Sequence, residues 1–150
     1  MRVVGDDLVL HRASGDQIGT RDLYELLCLR SEVFVVEQAC AYLDLDGRDL
    51  EPTTTHLWLT DADGAVASCV RLLAEPDGGS RIGRVATAPA HRGRHLAGRL
   101  IDEALTLAVA PVVLDAQAHL VHVYERHGFA RSGADFVEDG IAHTPMRLSR

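Results

Sequence analysis

The chain alternates short apolar runs with polar breaks, and the period of each run predicts its element. Residues 7–12, DLVLHR, alternate apolar and polar as a first strand would. Between Ile18 and Arg30, the residues Leu23, Leu26, Leu27 and Arg30 fall at helical spacing, so a helix is expected after Thr20, with Asp22 in its first turn. The stretch that follows, SEVFVVEQACAYLDLDGRDLEPTTT, holds no single period. It predicts a short second helix and then a loop, and its length makes it a candidate binding surface.

HLWLTDADGAVASCVRLLAE reads as two strands around Asp63-Gly64, a hairpin turn signal, and RIGRVATAP as a third strand closed by Pro89. From about Arg92 to Ala108, Leu96, Ala97, Leu100, Ile101, Ala104, Leu105 and Ala108 form one helical stripe opposite Arg94, Arg99, Asp102 and Glu103. VVLDA is a short buried strand and HLVHVYERHG a helix stopped by Gly128. FARSG and IAHTPMRL are strands flanking Glu138-Asp139-Gly140. Strand, helices, three strands, helix, strand, helix and two strands make an α+β plan.

Composition narrows the class. At 150 residues the chain is expected to form a single domain over 1–150, long enough to bury roughly two thirds of the surface of its unfolded state. With 47% hydrophobic and 25% charged residues it is an ordinary globular composition. No basic flank precedes an apolar core at the start, and no segment approaches the roughly 20 apolar residues of a membrane span, so a cytoplasmic protein without a membrane partner is expected. The three cysteines, Cys28, Cys40 and Cys69, are widely spaced and lack a Cys-x-x-Cys pair, and buried thiols are expected rather than disulfides or zinc ligands. All 15 basic residues are arginine, which excludes lysine Schiff-base chemistry and a lysine-bearing phosphate loop.

The charge distribution then changes the picture. In a chain of net charge -7, the stretch RVATAPAHRGRHLAGRL (84–100) carries Arg84, Arg92, Arg94 and Arg99 and no acidic residue. A strand that turns into a helix leaves several backbone N–H groups unpaired at the helix start, and these favour an anion there. Gly93 permits close approach of a ligand to the backbone, and arginines supply fork-shaped donors for phosphate oxygens. The alternative is that the arginines solvate the exposed face of an amphipathic helix.

Here the sequence resembles the GNAT superfamily of acyl-CoA-dependent N-acetyltransferases. Their phosphate loop is written [Q/R]-x-x-G-x-[G/A]; Arg92-Gly93-Arg94-His95-Leu96-Ala97 fits its first and last positions, with His95 where a glycine is usual. QAHLVHVYERHGF is similar to the second signature, with Gln117 in the place of an asparagine and Tyr124, Gly128 and Phe129 matching. VFVVEQACAYLDLDGRD, IGRVAT, AQAHL and EDGIAH, in that order, resemble the ElaA-like branch.

The resemblance implies a mixed, mostly antiparallel sheet with helices on both faces and a splayed strand pair holding the pantetheine arm. The backbone of Val85 and Thr87, with Gln117, would hold that arm, and Arg92, Gly93, Arg94, His95, Leu96, Ala97 and Gly98 the pyrophosphate of acetyl-CoA or coenzyme A. It implies acetyl transfer to a primary amine of a small molecule or peptide, with Tyr124 protonating the leaving thiolate. The strand Ile82–Thr87 lacks the carboxylate many relatives carry there. Glu37 and His119 are therefore the candidate bases, with His56, Glu138 and His143 behind them, and the missing carboxylate favours a non-catalytic acyl-CoA or small-ligand sensor as the alternative. A strand exposed at the end of such a sheet could pair in a homodimer.

Three other readings lose. His119, His122 and His127 lack a visible fourth zinc ligand, so no metal is expected. DLDGRDLE has its glycine too early for a calcium loop and reads as an acidic turn. A sequence pI of about 5.5 and the absence of interleaved aromatics argue against nucleic acid.

Overall fold

The structure is a computed structural model and describes residues 2–4 and 7–149. Its centre is a nine-stranded sheet in the order β1-β2-β3-β4-β5-β6-β9-β7, with β8 pairing β9. The strands are β1 (Arg2–Val4), β2 (Leu8–Ser14), β3 (Thr55–Thr60), β4 (Val66–Ala74), β5 (Ser80–Thr87), β6 (Val112–Gln117), β7 (Ala130–Arg131), β8 (Phe136–Glu138) and β9 (Ile141–Leu148). Every pairing is antiparallel except β5 with β6. The helices are α1 (Thr20–Arg30), α2 (Leu96–Leu107) and α3 (Val121–Glu125).

Strand alternation sends successive side chains to opposite faces, and both faces are covered. Leu57, Leu59, Val70, Leu72 and Ile82 pack with Leu96, Leu100, Ile101 and Ala104 of α2. Trp58, Cys69 and Ala86 pack with Leu26 and Leu29 of α1 and with Val33. The α+β plan and the mixed, mostly antiparallel sheet with helices on both faces are therefore as expected, and β3 reads as a solid apolar run because neither of its faces meets water. Among the described residues, no helix is long and apolar enough to cross a membrane.

Four expectations need correcting. α2 begins at Leu96, four residues later than the stripe suggested, because Gly93 and His95 both take left-handed backbone angles that end any helix running through them. The short second helix is a π-helical continuation of α1 over Ser31–Glu37, with no intervening break. The strand flanking the Asp139-Gly140 turn is β8, an exposed strand hidden in polar sequence, and not FARSG alone. Cys40 and Cys69 are buried, but Cys28 is exposed.

The long connection between Glu37 and Thr55 is pinned to the sheet where Gly15 ends β2. A Cβ there would collide with the backbone of Asp49, Leu50 and Glu51, so only glycine allows this approach. That contact brings the acidic turn against the open part of the sheet.

Candidate active site

β5 and β6 pair only at Ser80↔Val112 and Arg81↔Val113, then separate. The cause lies on the other edge of β5. Cys69 pairs with Ala86 and Arg71 with Gly83, so two steps along β4 span three along β5. The extra residue forms a bulge in which Arg84 takes φ +50°, and a bulge of this kind bends its strand away from the regular ladder. β6 meanwhile stays paired with β9 along its whole length. The two strands thus enclose a cavity of about 560 Å³, walled by Gly83 and Val85 on one side and by Leu114 and Gln117 on the other, with Tyr124 also lining it.

Beyond Thr87 the chain makes a short 3₁₀ turn at Pro89–His91 and a loop in which Gly93 has φ +81° and His95 φ +59° before α2 starts. His95, at the position where the resemblance puts a glycine, therefore stands in the left-handed region. The first turn of α2 leaves its N–H groups without intrahelical partners, beside Arg92 and Arg94. Neither arginine is idle. Arg92 makes a two-pronged ion pair with Glu37 at 2.5 Å and donates from Nε to the Thr87 carbonyl at 3.2 Å. Arg94 donates to His91 Nδ1 at 2.9 Å, which leaves His91 Nε2 to donate to Asp61 at 3.1 Å. A Cβ added at Gly98 would meet His127, in the segment after α3, at ordinary contact distance.

Tyr124 is 8% exposed, set edge-to-face on Phe129, and burial pushes its hydroxyl up to about 12. It is a protonated donor throughout the neutral range. Gln117, at the end of β6, exchanges side-chain amide hydrogen bonds with Gln38 at 3.3 and 3.4 Å. Residues 37 and 38 thus contact both lips of the cleft, Arg92 beyond β5 and Gln117 on β6.

The structure does not bring Glu37 and His119 into the cavity wall. Glu37 is exposed, and its hydrogen bonds from Arg92 hold its carboxyl below the usual range, which weakens it as a base. His119 is exposed on the short turn before α3. His56 is buried on β3 with Nε2 at 2.9 Å from the Asp49 carbonyl. Glu138 and His143 do line the cavity.

What the sequence reading missed is the role of the acidic turn. Arg30 donates to Asp44 at 2.9 Å and to Asp49 at 2.6 and 3.2 Å; Arg71 donates to Asp46 at 2.8 and 2.9 Å and to Asp49 at 3.1 Å. Arg84 donates to the Asp44 carbonyl at 3.0 Å and lies over the ring of Tyr42, whose hydroxyl donates to Asp44 at 2.8 Å. Burial works to raise the Asp46 and Asp49 carboxyls, but the guanidinium hydrogen bonds and charges win, holding Asp46 well below the ordinary range and lowering Asp49 as well. The signal was there: Arg71 interrupts the apolar run of β4 and Arg30 ends the apolar stripe of α1, and a charge in such a place is seldom buried without a partner.

A sheet opened between two parallel strands, with a glycine-bearing loop leading from the opened strand into a helix, defines an acyl-CoA N-acyltransferase fold. Residues 22–150 match the acetyltransferase (GNAT) domain family, and the chain belongs to that family, in its ElaA-like branch. It is 48% identical over 141 residues to the UPF0039 protein Rv2851c of Mycobacterium tuberculosis, covering 91% of this chain and 90% of that one. An acyl-CoA N-acyltransferase from Pseudomonas aeruginosa superposes with a TM-score of 0.87 at 39% identity, over 95% of this chain and 99% of that one. Escherichia coli ElaA superposes with a TM-score of 0.86 at 32% identity, over 94% of this chain and 99% of that one.

Proposed function

We propose that the protein transfers an acetyl group from acetyl-CoA to a primary amine of a small molecule or peptide. The observation that carries this reading is the buried Tyr124 in the wall of the cavity between the splayed strands. The residues fit the cosubstrate. Val85 and Gln117 lie in the cavity wall and Thr87 follows on the same strand, a path that suits the extended pantetheine arm the backbone of Val85 and Thr87 would hold, since such an arm adds to an open strand edge as another strand would. The N–H groups from Arg92 to Gly98, with the Arg92 and Arg94 side chains, suit its pyrophosphate.

In this reading Tyr124 gives its proton to the sulfur as the carbon–sulfur bond breaks. A positioned general acid of this kind is worth about 10²- to 10⁴-fold in rate. Titration of acetyl-CoA calorimetrically, followed by thiol release with a panel of primary amines, tests both halves. Binding with amine-dependent thiol release, reduced by that factor in Tyr124→Phe, supports the reading. The second reading, a sensor, is favoured by the arginine-held Glu37 and the carboxylate-free β5; tight binding without turnover of any amine would establish it.

A further inference from the structure

We propose that His143 is the base that takes the proton of the attacking amine, an inference that rests on the acyltransferase reading above. β5 supplies no carboxylate, Glu37 is committed to Arg92, and His119 stands outside the cavity wall. Besides His143 the wall carries three cations, Arg71, Arg81 and Arg84, each paired with a carboxylate, and the titratable side chains of Cys40, Tyr42, Asp115, Tyr124, Glu138 and Asp139. Four of these have evident duties: the Cys40 thiol donates to the Asp139 carbonyl, the Tyr42 hydroxyl donates to Asp44, Asp115 pairs with Arg81, and Tyr124 is a buried acid. Glu138 and Asp139 are exposed at the hairpin end, where water competes for their charge.

His143 is held differently. Its Nδ1 lies 2.8 Å from the Ile141 carbonyl. A carbonyl only accepts, so Nδ1 carries a hydrogen, and in the neutral ring the lone pair that a base uses is then on Nε2. The ring is stacked on Phe136 at 5.6 Å and 18°, because β8 and β9 place those two residues directly opposite each other. On its other side β9 places His143 opposite Gln117, the last residue of β6 before the chain turns into α3 and Tyr124. Register and stacking therefore fix the imidazole in the wall of the same cavity as the buried phenol.

The step balances with two groups of this chain. The neutral amine forms the carbon–nitrogen bond with its lone pair, and its proton passes to Nε2 of His143. The sulfur leaves with the electron pair of the carbon–sulfur bond and takes the Tyr124 proton. Proton exchange through water from the His143 imidazolium to the tyrosinate resets both groups.

The test compares wild type, His143→Ala and His143→Gln for amine-dependent thiol release across pH, with acetyl-CoA affinity and thermal unfolding measured on each. The glutamine side chain can still donate to the Ile141 carbonyl but cannot accept a proton, so it guards against a mere folding defect. The expected result is a kcat loss of about 10²- to 10⁴-fold in both variants with acetyl-CoA affinity unchanged, loss of the acidic limb of kcat/KM, and partial rescue of His143→Ala by added imidazole. Retention of the acidic limb in the variants, or a rise in acceptor KM with kcat preserved, would overturn the base while leaving the acyltransferase reading intact. Absence of turnover in the wild type itself would overturn both.

Discussion

Two groups of arginines in this protein look alike in sequence and stand in opposite surroundings. Arg30, Arg71 and Arg84 are drawn into the sheet and matched by Asp44, Asp46 and Asp49, three cations to three anions, with Arg30 only 1% exposed. Arg92 and Arg94 stand on the loop before α2, and the Arg92 side chain is 43% exposed. Arg84 shows how fine the division is. It belongs to the same acid-free stretch as Arg92, yet it sits in the bulge of β5 and faces the aspartates of a turn some 40 residues earlier. Internally matched arginines hold the opened strand in shape, whereas Arg92 lies at the surface with Glu37 as its partner, where under the proposed function an anion would compete with that carboxylate.

That comparison breaks most visibly in the buried region. Removing one partner of a buried ion pair strands the other, at a cost of about 3–5 kcal/mol. Asp49→Ala, which strands both Arg30 and Arg71, is expected to lose stability of that size in urea unfolding. A loss below about 1 kcal/mol would mean that the aspartates are surface decoration. The pH dependence follows the same geometry. Asp46 and Asp49 have folded pKa values below the unfolded value of about 3.9, so their contribution is complete above about pH 4 and is lost as pH falls through the folded values. Burial lowers His56 below its unfolded value of about 6.5. The unfolded chain then binds its proton first, and stability begins to fall as pH drops below about 6.5. His56→Gln should flatten that upper part of the curve and leave the lower part in place.

The two regions also differ in how far the sequence reveals them. The stripe from Leu96 to Leu105, the Asp63-Gly64 hairpin and the strand ending at Thr87 were legible because each has a local period or turn residue. The loop arginines were legible because they are neighbours in the chain. The ion-pair cluster joins residues 14 to 40 positions apart, and no local pattern encodes such pairing. Val33, Phe34, Val35 and Val36 concealed the π-helical turn, since four successive apolar residues have no helical spacing. That turn then determines the fate of Glu37, a base by composition and a partner of Arg92 by geometry.

Substitutions in the loop should show the reverse balance. Arg94→Glu is expected to weaken acetyl-CoA by about tenfold or more, the worth of a charge-assisted hydrogen bond, while stability shifts by no more than about 0.5 kcal/mol. Calorimetric titration beside urea unfolding separates the two. An unfolding loss as large as that of Asp49→Ala would merge the regions and end the distinction. Glu37→Gln sharpens it further, because it frees Arg92 from its competitor. A few-fold gain in acetyl-CoA affinity, shrinking as salt is added, is the expected outcome. A weaker complex would instead mean that Glu37 orients Arg92 toward the anion.

The smallest effect concerns His95. Its φ of +59° lies in the left-handed region, where a side chain costs about 1–2 kcal/mol, though histidine tolerates it better than most residues. It caps no helix N–H with its side chain, so glycine there removes strain without removing a bond. Glycine also widens the unfolded ensemble, which returns about 0.4–1 kcal/mol of that gain. His95→Gly should therefore raise stability by less than about 1 kcal/mol and leave acetyl-CoA affinity equal or slightly higher, since the backbone that meets the anion keeps its path. A clear loss of affinity would mean that the imidazole itself contacts the ligand, and the loop would then hold the anion through a side chain as well as through its backbone.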